Sequence, residues 1–367
     1  MPASLRIVHL TTLHAPLDVR IFGKEARTAA AAGHDVHIVA PGGDGTADGV
    51  QLHDLGAPTQ PGLSRLAARL RTARRAAGRL QADIYHLHEP ELIPLAVALK
   101  SSRGRVVYDA HEDTPLEVRA MHPDRPAFAR ALSLGWRSAE RVVGAVADGV
   151  VAATPSIARR FPARKTVVVR NFPTAEEAER FVGGPHAERP PNVVYLGGVT
   201  AIRGAYEMVA AIERVGEPAR LVLAGPVDER LELAGERVDL RGSLSREGVA
   251  EVLREARVGL LVLHPVDAHI ESLPIKLFEY MAAGIPVVAS DFPFWRELVG
   301  SAGMLVDPHD VDAIAAAIDE LLGDSARAEA MGREGREAVA TRFSWEGEGE
   351  RLLSLYERLE PSRGRSG

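Results

Sequence analysis

Apolar positions along the chain follow two alternating periods. Short runs of β-branched and aliphatic residues, such as RIVHL and HIVA, have the length of buried strands, and between them apolar residues recur three and four positions apart, as in amphipathic helices. This alternation predicts βαβ units built around parallel sheets. The predicted strands cover 5–10, 35–40, 83–88, 105–109, 149–152 and 166–170 in the first half, and 193–196, 220–224, 237–240, 258–263, 286–289 and 304–306 in the second.

A change in composition divides this pattern into two parts. The stretch FPTAEEAERFVGGPHAERPPN is rich in Pro, Gly and Glu, which predicts a linker, and Thr174 and Glu177 within it have the spacing of a helix capping box. A length of 367 residues fits two domains. The predicted organisation is an N-terminal domain over 1–172, a linker over 173–191, a C-terminal domain over 192–343, and a final helix with its tail over 344–367.

Composition and charge narrow the class of protein. The absence of cysteine excludes disulfides and cysteine-bound zinc. The sequence contains neither the apolar core of a signal peptide nor a run of about 18 apolar residues that would span a membrane. We therefore expect a cytoplasmic protein. The net charge of −6 is unevenly distributed, because the first half is basic and the second acidic, which favours an anionic acceptor or a membrane surface as a partner of the first half.

A basic helix is predicted over 63–80. Its apolar stripe consists of Leu63, Leu66, Leu70, Ala73, Ala77 and Leu80. Its remaining faces carry Arg65, Arg69, Arg71, Arg74, Arg75 and Arg79. Such a helix either lies on an anionic membrane surface, at the inner face of the membrane, or packs its stripe on the sheet. The narrow stripe without Trp or Phe favours packing. No recognised nucleic-acid module is present, so nucleic acid is not a predicted partner.

The segment ESLPIKLFEYMAAGIPVVAS, residues 271–290, carries the clearest binding pattern. Pro274 stands where a helix would begin, and Gly284 stands where it would end. A helix that starts at the carboxyl edge of a parallel sheet is a place where phosphates bind. The first N–H groups of this helix would face a diphosphate, Glu279 would accept hydrogen bonds from a ribose, and Glu271 would hold sugar hydroxyls. On spacing alone, an ordinary amphipathic helix with solvated glutamates explains the segment equally well.

The wider context resolves this ambiguity through a resemblance. A Glu, seven further residues, a second Glu and then YMAAGIPVVA resemble the hallmark of family-four retaining glycosyltransferases with the GT-B fold. Other segments resemble the same family in the same order, namely RIVHL, KEARTAAAAGHDVHIVA, DIYHLHEP, VVYDAHED, VVVRNFP, VVYLGGVTAIRGAYEMVAAI and RFSW. The resemblance covers most of the chain. It implies an α/β GT-B architecture, with two Rossmann-like parallel-sheet domains facing a central cleft and a C-terminal helix that crosses back to the first domain.

The resemblance also implies an activity. The chain would transfer a sugar, with retention, from a nucleotide-diphosphate sugar to a hydroxyl of a carbohydrate, lipid-linked or small natural-product acceptor, and we favour a UDP-sugar as donor. No cofactor and no metal are implied, because Arg203 would supply positive charge to the departing diphosphate. The expected donor-binding residues are Gly197, Gly198, Arg203, Arg241, Ser272, Leu273, Pro274, Ile275, Lys276 and Glu279. Glu271 is assigned to catalysis together with His111.

The glycine turn departs from the family pattern at one position. Many members place an arginine directly after the first glycine of this turn, where this chain has Gly198. We expect either that one cation is missing or that Arg20 or Lys24 of the first domain replaces it. The first loop, from Thr12 to Phe22, also lacks the Gly-Gly pair of many members. A surface position at a helix start is the alternative for Arg203.

Several histidines of the first domain are candidate site residues. His86 and His88 share one face of a strand, and with Glu89 they have a spacing that metal sites also use. The resemblance instead makes them structural or cleft-lining residues. It identifies His111, at the carboxyl end of its strand, as the histidine that contacts the donor sugar. His14, Asp18, Arg20 and His88 are the expected acceptor-binding residues. Thr114 and Glu117 read as a capping box of the next helix.

Three rival functions remain at this point. A nucleotide-sugar epimerase or a phosphorylase would keep the fold, but no pyridoxal site or acid–base set for them is evident. A catalytically silent partner subunit is disfavoured by the intact Glu271, Glu279 and His111. An NAD dehydrogenase lacks its fingerprint, because TTLHAP follows the first strand where Gly-x-Gly-x-x-Gly would stand.

Overall fold

The structure is a computed structural model, and it describes residues 4–56, 63–100, 104–122, 124–216, 218–233 and 235–360. Its chain divides into two compact units, the first formed by Met1–Asn171 with Glu346–Gly367 and the second by Phe172–Trp345. Each unit contains one sheet with helices packed on it. The two parallel-sheet domains predicted from the alternating pattern are therefore confirmed.

The first unit contains an eight-stranded sheet in the order β3-β4-β2-β1-β5-β6-β7-β8. Its strands are β1 (Arg6–Leu10), β2 (Asp35–Ala40), β3 (Gly45–Ala47), β4 (Val50–Asp54), β5 (Ile84–Leu87), β6 (Arg105–Ala110), β7 (Gly149–Ala152) and β8 (Thr166–Val168). All neighbours are parallel except β3 with β4. That hairpin was not predicted, although Asp48-Gly49 is a hairpin signal. Both residues have positive φ, 45° and 79°, as this kind of tight turn requires.

Helices cover both faces of this sheet. They are α1 (Arg27–Ala31), which continues the π-helix Ile21–Ala26, α2 (Leu63–Leu80), α3 (Ile93–Leu99), α4 (Thr114–Met121), α5 (Pro126–Val146) and α6 (Pro155–Ala158). In α2, Ala73 and Ala77 are buried in the core of the unit and Leu70 packs against it. The described part of the basic helix therefore packs its stripe on the domain, as its narrowness indicated.

The second unit contains a six-stranded parallel sheet in the order β11-β10-β9-β12-β13-β14. Its strands are β9 (Asn192–Leu196), β10 (Arg220–Ala224), β11 (Val238–Gly242), β12 (Ala256–Leu261), β13 (Val287–Ser290) and β14 (Gly303–Val306). Its helices are α7 (Ala175–Phe181), α8 (Ala205–Ile212), α9 (Arg246–Arg254), α10 (Asp267–Ile270), α11 (Ile275–Ala282), α12 (Pro293–Val299), α13 (Val311–Gly323) and α14 (Ser325–Arg342).

The predicted linker is part of the second unit. Its helix α7 begins with the capping box of Thr174 and Glu177 that the spacing indicated. Phe172 and Phe181 are both 2% exposed and belong to the core of this unit. Because the segment is rich in Pro and Gly, the sequence did not indicate that these two aromatic side chains are buried. Their burial holds the segment in place.

The last helix, α15 (Trp345–Leu359), packs on the first unit. Leu355 is buried, and a Cβ on Gly149 would lie 3.0 Å from its Cδ1. The hydroxyl of Tyr356 lies 2.8 Å from His86 Nδ1, and Glu348 accepts a hydrogen bond from the backbone N–H of Arg170. The C-terminal helix therefore returns to the N-terminal domain, as predicted. No helix among the described residues is long and apolar enough to span a membrane.

Candidate active site

Two cations lie beside a glycine turn at the carboxyl end of β9. Gly197 has a φ of +122°, a conformation that favours glycine. A Cβ on Gly197 would lie 2.9 Å from Lys276 Cε, and a Cβ on Gly198 would lie 3.4 Å from Arg203 Nη1. Burial lowers the pKa of Lys276, and the nearby Arg203 lowers it further against the opposing effect of Glu279. Backbone without side chains, flanked by positive charge, is an arrangement that binds anions.

Tyr280, in the second half of α11, ties this helix to β9 and β12. Its hydroxyl accepts a hydrogen bond from Leu196 N at 2.9 Å and donates one to Leu260 O at 3.3 Å. A Cβ on Gly259 would lie 2.5 Å from the Tyr280 ring, so the strand and the helix approach closely only because glycine stands there. The free N–H groups of the first turn of α11 therefore begin at the ends of β9 and β12.

Glu279 belongs to a charged group that the sequence did not predict. Arg246 donates to Glu279 Oε1 at 2.7 Å and to Glu177 Oε1 at 2.8 Å, and its guanidinium lies over the Phe181 ring. Arg246 comes from α9 and Glu177 from the segment predicted as a linker. No sequence spacing joins these residues, so only the packing of α7, α9 and α11 brings them together.

The loop before α11 is held from beneath by a buried tryptophan. Trp295 Nε1 donates to Ser272 O at 3.0 Å, and Ser272 Oγ donates to His269 O at 2.8 Å. Glu271 is exposed on this loop, while Pro274 is buried. Leu273 and Ile275 are half-buried. The loop thus presents the Glu271 carboxylate to the surface on a well-supported backbone.

Arg241 lies apart from these residues. It is exposed on the edge strand β11 and forms an ion pair with Asp239 at 2.6 Å. The cations that lie beside the glycine turn are Arg203 and Lys276. The donor contact of Arg241 stays a prediction, and the position of β11 at the sheet edge was not evident from the sequence.

The first unit has a pocket of about 190 Å³ at the carboxyl ends of β1, β5 and β6. Its lining residues are Leu13, His14, His88, Glu89, Pro90, Tyr108, Asp109, Ala110, His111, Glu112 and Thr114. The predicted His111, His14 and His88 are thus brought together. The carboxyl edge of a parallel sheet is where α/β proteins place their ligand sites.

His111 is positioned by a buried ion pair. Its Nδ1 lies 3.6 Å from Asp109 Oδ2, and its side chain is 13% exposed. Arg20 holds Asp109 with two hydrogen bonds, at 3.1 and 3.2 Å. Although burial alone would raise the pKa of Asp109, Arg20 and the two neighbouring histidines hold it well below its usual value. Asp109 therefore stays ionised and places a negative charge beside the His111 imidazole.

His14 and Glu89 form a second pair at the pocket. His14 Nδ1 lies 2.8 Å from Glu89 Oε1, and this hydrogen bond raises the pKa of His14. Burial opposes ionisation of Glu89, yet the bonds from His14 and Thr11 lower its pKa. Glu89 also accepts from the backbone N–H of Thr12 at 3.1 Å. The pair fixes the first loop over the pocket.

The other predicted acceptor-binding residues have structural partners. Asp18 accepts hydrogen bonds from the backbone N–H groups of Arg20 and Ile21, at the start of the following helix. Arg20 is 5% exposed and bound to Asp109, and His88 is 1% exposed. Lys24 donates to Asn171. The replacement of the missing cation by Arg20 or Lys24 stays a prediction, and within the second unit Lys276 lies beside the glycine turn.

The capping prediction for α4 was wrong. Asp113, not Thr114, is the cap, because its carboxylate accepts a hydrogen bond from Leu116 N at 3.2 Å. Glu117 therefore takes no part in capping this helix. Burial, followed by the neighbouring Glu112, raises the pKa of Glu117 to about 7. The mistake arose because adjacent Asp and Thr both satisfy the cap preference.

Comparison with known proteins agrees with this architecture. The profile of group 1 glycosyl transferases matches residues 190–324, and that of glycosyltransferase family 4 matches residues 19–172. The alpha-maltose-1-phosphate synthase of Mycolicibacterium smegmatis is 26% identical over 359 residues, which cover 84% of this chain and 91% of that protein. The phosphatidyl-myo-inositol mannosyltransferase of Mycobacterium leprae is 28% identical over 299 residues, covering 76% and 74%.

A solved structure extends the likeness to the whole fold. The Anabaena protein HepE in complex with UDP-glucose superimposes with a TM-score of 0.72 at 16% identity, over 96% of this chain and 100% of that one. Fold and family together define a nucleotide-sugar-dependent glycosyltransferase with the GT-B fold. The chain belongs to glycosyltransferase family 4, whose members transfer sugars with retention.

Replacing Glu279 tests the donor site. If Glu279 holds the ribose, Glu279→Ala should weaken nucleoside diphosphate binding by about 1–3 kcal/mol, the range for losing a charged hydrogen-bond acceptor. Titration calorimetry with the free diphosphate measures this. Glu177→Gln is the matched control, because it disturbs the far side of Arg246 while leaving Glu279 in place. Equal affinities for Glu279→Ala and wild type would remove α11 from the nucleotide site.

Proposed function

We propose that this glycosyltransferase moves a hexose from a UDP-sugar to a hydroxyl of an uncharged or amine-bearing acceptor. The observation that carries the proposal is the pairing of Arg203 and Lys276 beside the bare Gly197–Gly198 turn, with Glu279 one turn into α11. HepE, which has the same fold, was solved with UDP-glucose. That complex favours uridine over other nucleotides as the first donor to test.

The diphosphate is the leaving group, and its charge must be stabilised as it departs. Arg203, Lys276 and the first N–H groups of α11 supply positive potential at the end of β9. The lowered pKa of Lys276 reflects burial, and an arriving diphosphate would favour its charged form. We therefore propose that transfer needs no metal ion, because the side chains and the helix terminus do the work of a cation.

Retention follows from attack on the same face as the leaving group. The acceptor oxygen forms its bond to the anomeric carbon as the bond from that carbon to the phosphate oxygen breaks. The hydroxyl proton passes to the departing phosphate oxygen, which becomes more basic as the bond lengthens. In this proposal Glu271 holds hydroxyls of the transferred sugar, and His111 acts in the transfer step.

The acceptor class is inferred from the pocket of the first unit. Its described lining contains the carboxylates of Glu89, Asp109 and Glu112 but neither arginine nor lysine. A phosphate group there would find neither arginine nor lysine to pair with. Hydroxyl and amine groups, in contrast, can donate hydrogen bonds to these carboxylates. The basic character of the first half is therefore carried by surfaces other than this pocket, such as α2 with its exposed Arg71, Arg74, Arg75 and Arg79.

A panel of donors and acceptors tests both halves of the proposal. UDP should raise the unfolding temperature more than GDP or ADP, because ligands that bind the native state stabilise it. With the preferred donor, mass spectrometry should detect product from methyl glucoside or glucosamine, with kcat/KM at least about 10-fold higher than for glucose 6-phosphate. The reverse order would contradict the acceptor class. The comparison of acceptors needs no assumption about the natural acceptor.

The same panel separates the rival functions. A silent partner subunit would bind the nucleotide and form no product with any acceptor. An epimerase would convert the donor to an isomer in the absence of acceptor. Either result would overturn the proposed transfer while leaving the family and the fold unchanged.

A further inference from the structure

Three potential metal ligands lie close together in the second unit, near the turn that carries Arg203. Glu207 lies in the first turn of α8, His264 follows β12, and His309 lies in the turn before α13. His264 Nε2 lies 3.0 Å from Glu207 Oε1, and His309 Nδ1 lies 3.9 Å from the same oxygen. The two imidazole rings are 4.3 Å apart. We refer to these three residues as the Glu-His-His triad.

The geometry of the triad suits a shared cation better than a direct hydrogen bond. One ligand atom from each residue lies within 4.8 Å of the others. Ligands at the edges of a tetrahedral zinc site are about 3.3 Å apart, given bonds of about 2.0–2.1 Å. His264 Nε2 is at hydrogen-bond distance from Glu207 but forms no hydrogen bond within the described structure, and Glu207 Oε2 is likewise buried without one. An ion between them would satisfy these atoms.

Glu207 also has no permanently charged counter-ion among the described residues. Glu207 has ion-pair partners only in His264 and His309 among the described residues, with neither arginine nor lysine beside it. A second cluster, His9, Glu25, His86 and His88, is different. There Arg20 lies 3.0 Å from Glu25, and all four side chains are sealed from solvent. A divalent ion would add excess charge to that cluster, whereas it would compensate Glu207.

Two further features favour an ion at the triad, namely access from solvent and a backbone that is held in place. His309 is 52% exposed, so an ion can enter and one coordination position remains for water. The backbone of His264 is held on both sides, because its N–H donates to Ile202 O at 2.9 Å and its carbonyl accepts from His269 Nδ1 at 2.9 Å. Imidazole and carboxylate are both zinc ligands, and a water would complete the four-coordinate shell of an ion held by the three side chains.

We propose that Glu207, His264 and His309 bind a Zn²⁺ ion that acts structurally. The ion would join α8, the loop after β12 and the turn before α13. Two of these segments adjoin Arg203, since Gly204 alone separates it from α8 and Ile202 bonds to His264. Zinc would therefore stabilise the backbone that carries the donor-side cation without contacting substrate. The inference is independent of the proposed donor and acceptor.

Calorimetric titration of chelator-stripped protein with zinc chloride tests the site. We expect one Zn²⁺ per chain and a rise in unfolding temperature with zinc. His309→Ala should weaken binding by at least about 10-fold and abolish the thermal shift, because a ligand is lost. Since His309 is half-exposed at a turn, this variant should fold, and Glu207→Gln provides a second test. His122→Ala in the first unit is the matched control and should bind like wild type.

The outcomes are separable from those of the donor proposal. No zinc binding, or an unchanged affinity and stoichiometry in His309→Ala, would overturn the triad and direct attention to the buried cluster. Glycosyl transfer should continue in EDTA, with only the unfolding temperature lowered. Loss of transfer in EDTA, restored by zinc in wild type but not in His309→Ala, would overturn the structural role. Restoration by magnesium or manganese instead would contradict the metal-independent mechanism of the proposed function.

Discussion

His111→Ala is expected to lower the turnover number by about 10²-fold or more, the scale for losing a positioned catalytic group. His111 lines the pocket of the first unit and lies 3.6 Å from Asp109, whose ionised form Arg20 maintains. Free nucleoside diphosphate should bind as in wild type, because Arg203, Lys276 and Glu279 all belong to the second unit. A group that acts in the transfer step changes the rate more than the ground-state affinity.

Two measurements on the same variant decide the role of His111. Steady-state transfer gives the turnover number, and calorimetry with the diphosphate gives the affinity. His122→Ala removes a histidine outside the pocket and should leave both unchanged. Normal turnover of His111→Ala would remove it from the active site. If diphosphate binding falls together with turnover, the proposed separation of roles is wrong, and circular dichroism would show whether the fold is lost.

Acidification from pH 6.5 to about 5 is expected to destabilise the first unit. His9, His86 and His88 are fully buried, and burial is the main cause that lowers the pKa of each. Their native forms stay neutral while the unfolded chain takes up protons below about pH 6.5. The unfolded state then binds more protons than the native state. The free energy of unfolding therefore decreases as the pH is lowered, by up to about 1.4 kcal/mol per pH unit for each histidine.

Groups whose native pKa is raised oppose this trend. Burial raises the pKa of Glu25 well above its usual value, that of Glu117 to about 7 and that of Glu140, and the bond to Glu89 raises the pKa of His14. Glu117 and His14 are partly exposed and Arg160 counteracts the shift of Glu140, so the three fully buried histidines leave a net loss of about 1–3 kcal/mol per pH unit. This is a large part of the about 5–15 kcal/mol that typically stabilises a domain.

Urea unfolding at pH 7.5, 6.5 and 5.5 measures the net effect, and hydrogen exchange of the β1 and β5 amides assigns it to the first unit. In His86→Gln the loss should be smaller by up to about 1.4 kcal/mol per pH unit, because one group no longer titrates. His122→Ala serves again as control. A free energy of unfolding that stays constant or increases on acidification would contradict the prediction that neutral buried histidines dominate the pH dependence.

Local patterns along the chain predicted much of the fold. The apolar periods gave the βαβ order, and α11 begins after Pro274 and is followed by Gly284 with a φ of +67°, as the helix signals indicated. The capping box of Thr174 and Glu177 and the break between α14 and α15 were also predicted. These features depend on residues near one another in sequence, where backbone preference and periodicity act directly.

Only the tertiary structure decided which distant residues meet. It joined Arg246 to Glu279, brought Lys276 to Gly197, locked Arg20 to Asp109 inside the first unit and assembled the Glu-His-His triad from three separate segments. It also left Arg241 on the edge strand. Side-chain pairing of this kind depends on strand order and helix packing, which no local spacing specifies. By itself the sequence determined the elements and the family of the protein, whereas packing determined which of its charged side chains face a ligand and which only hold the fold.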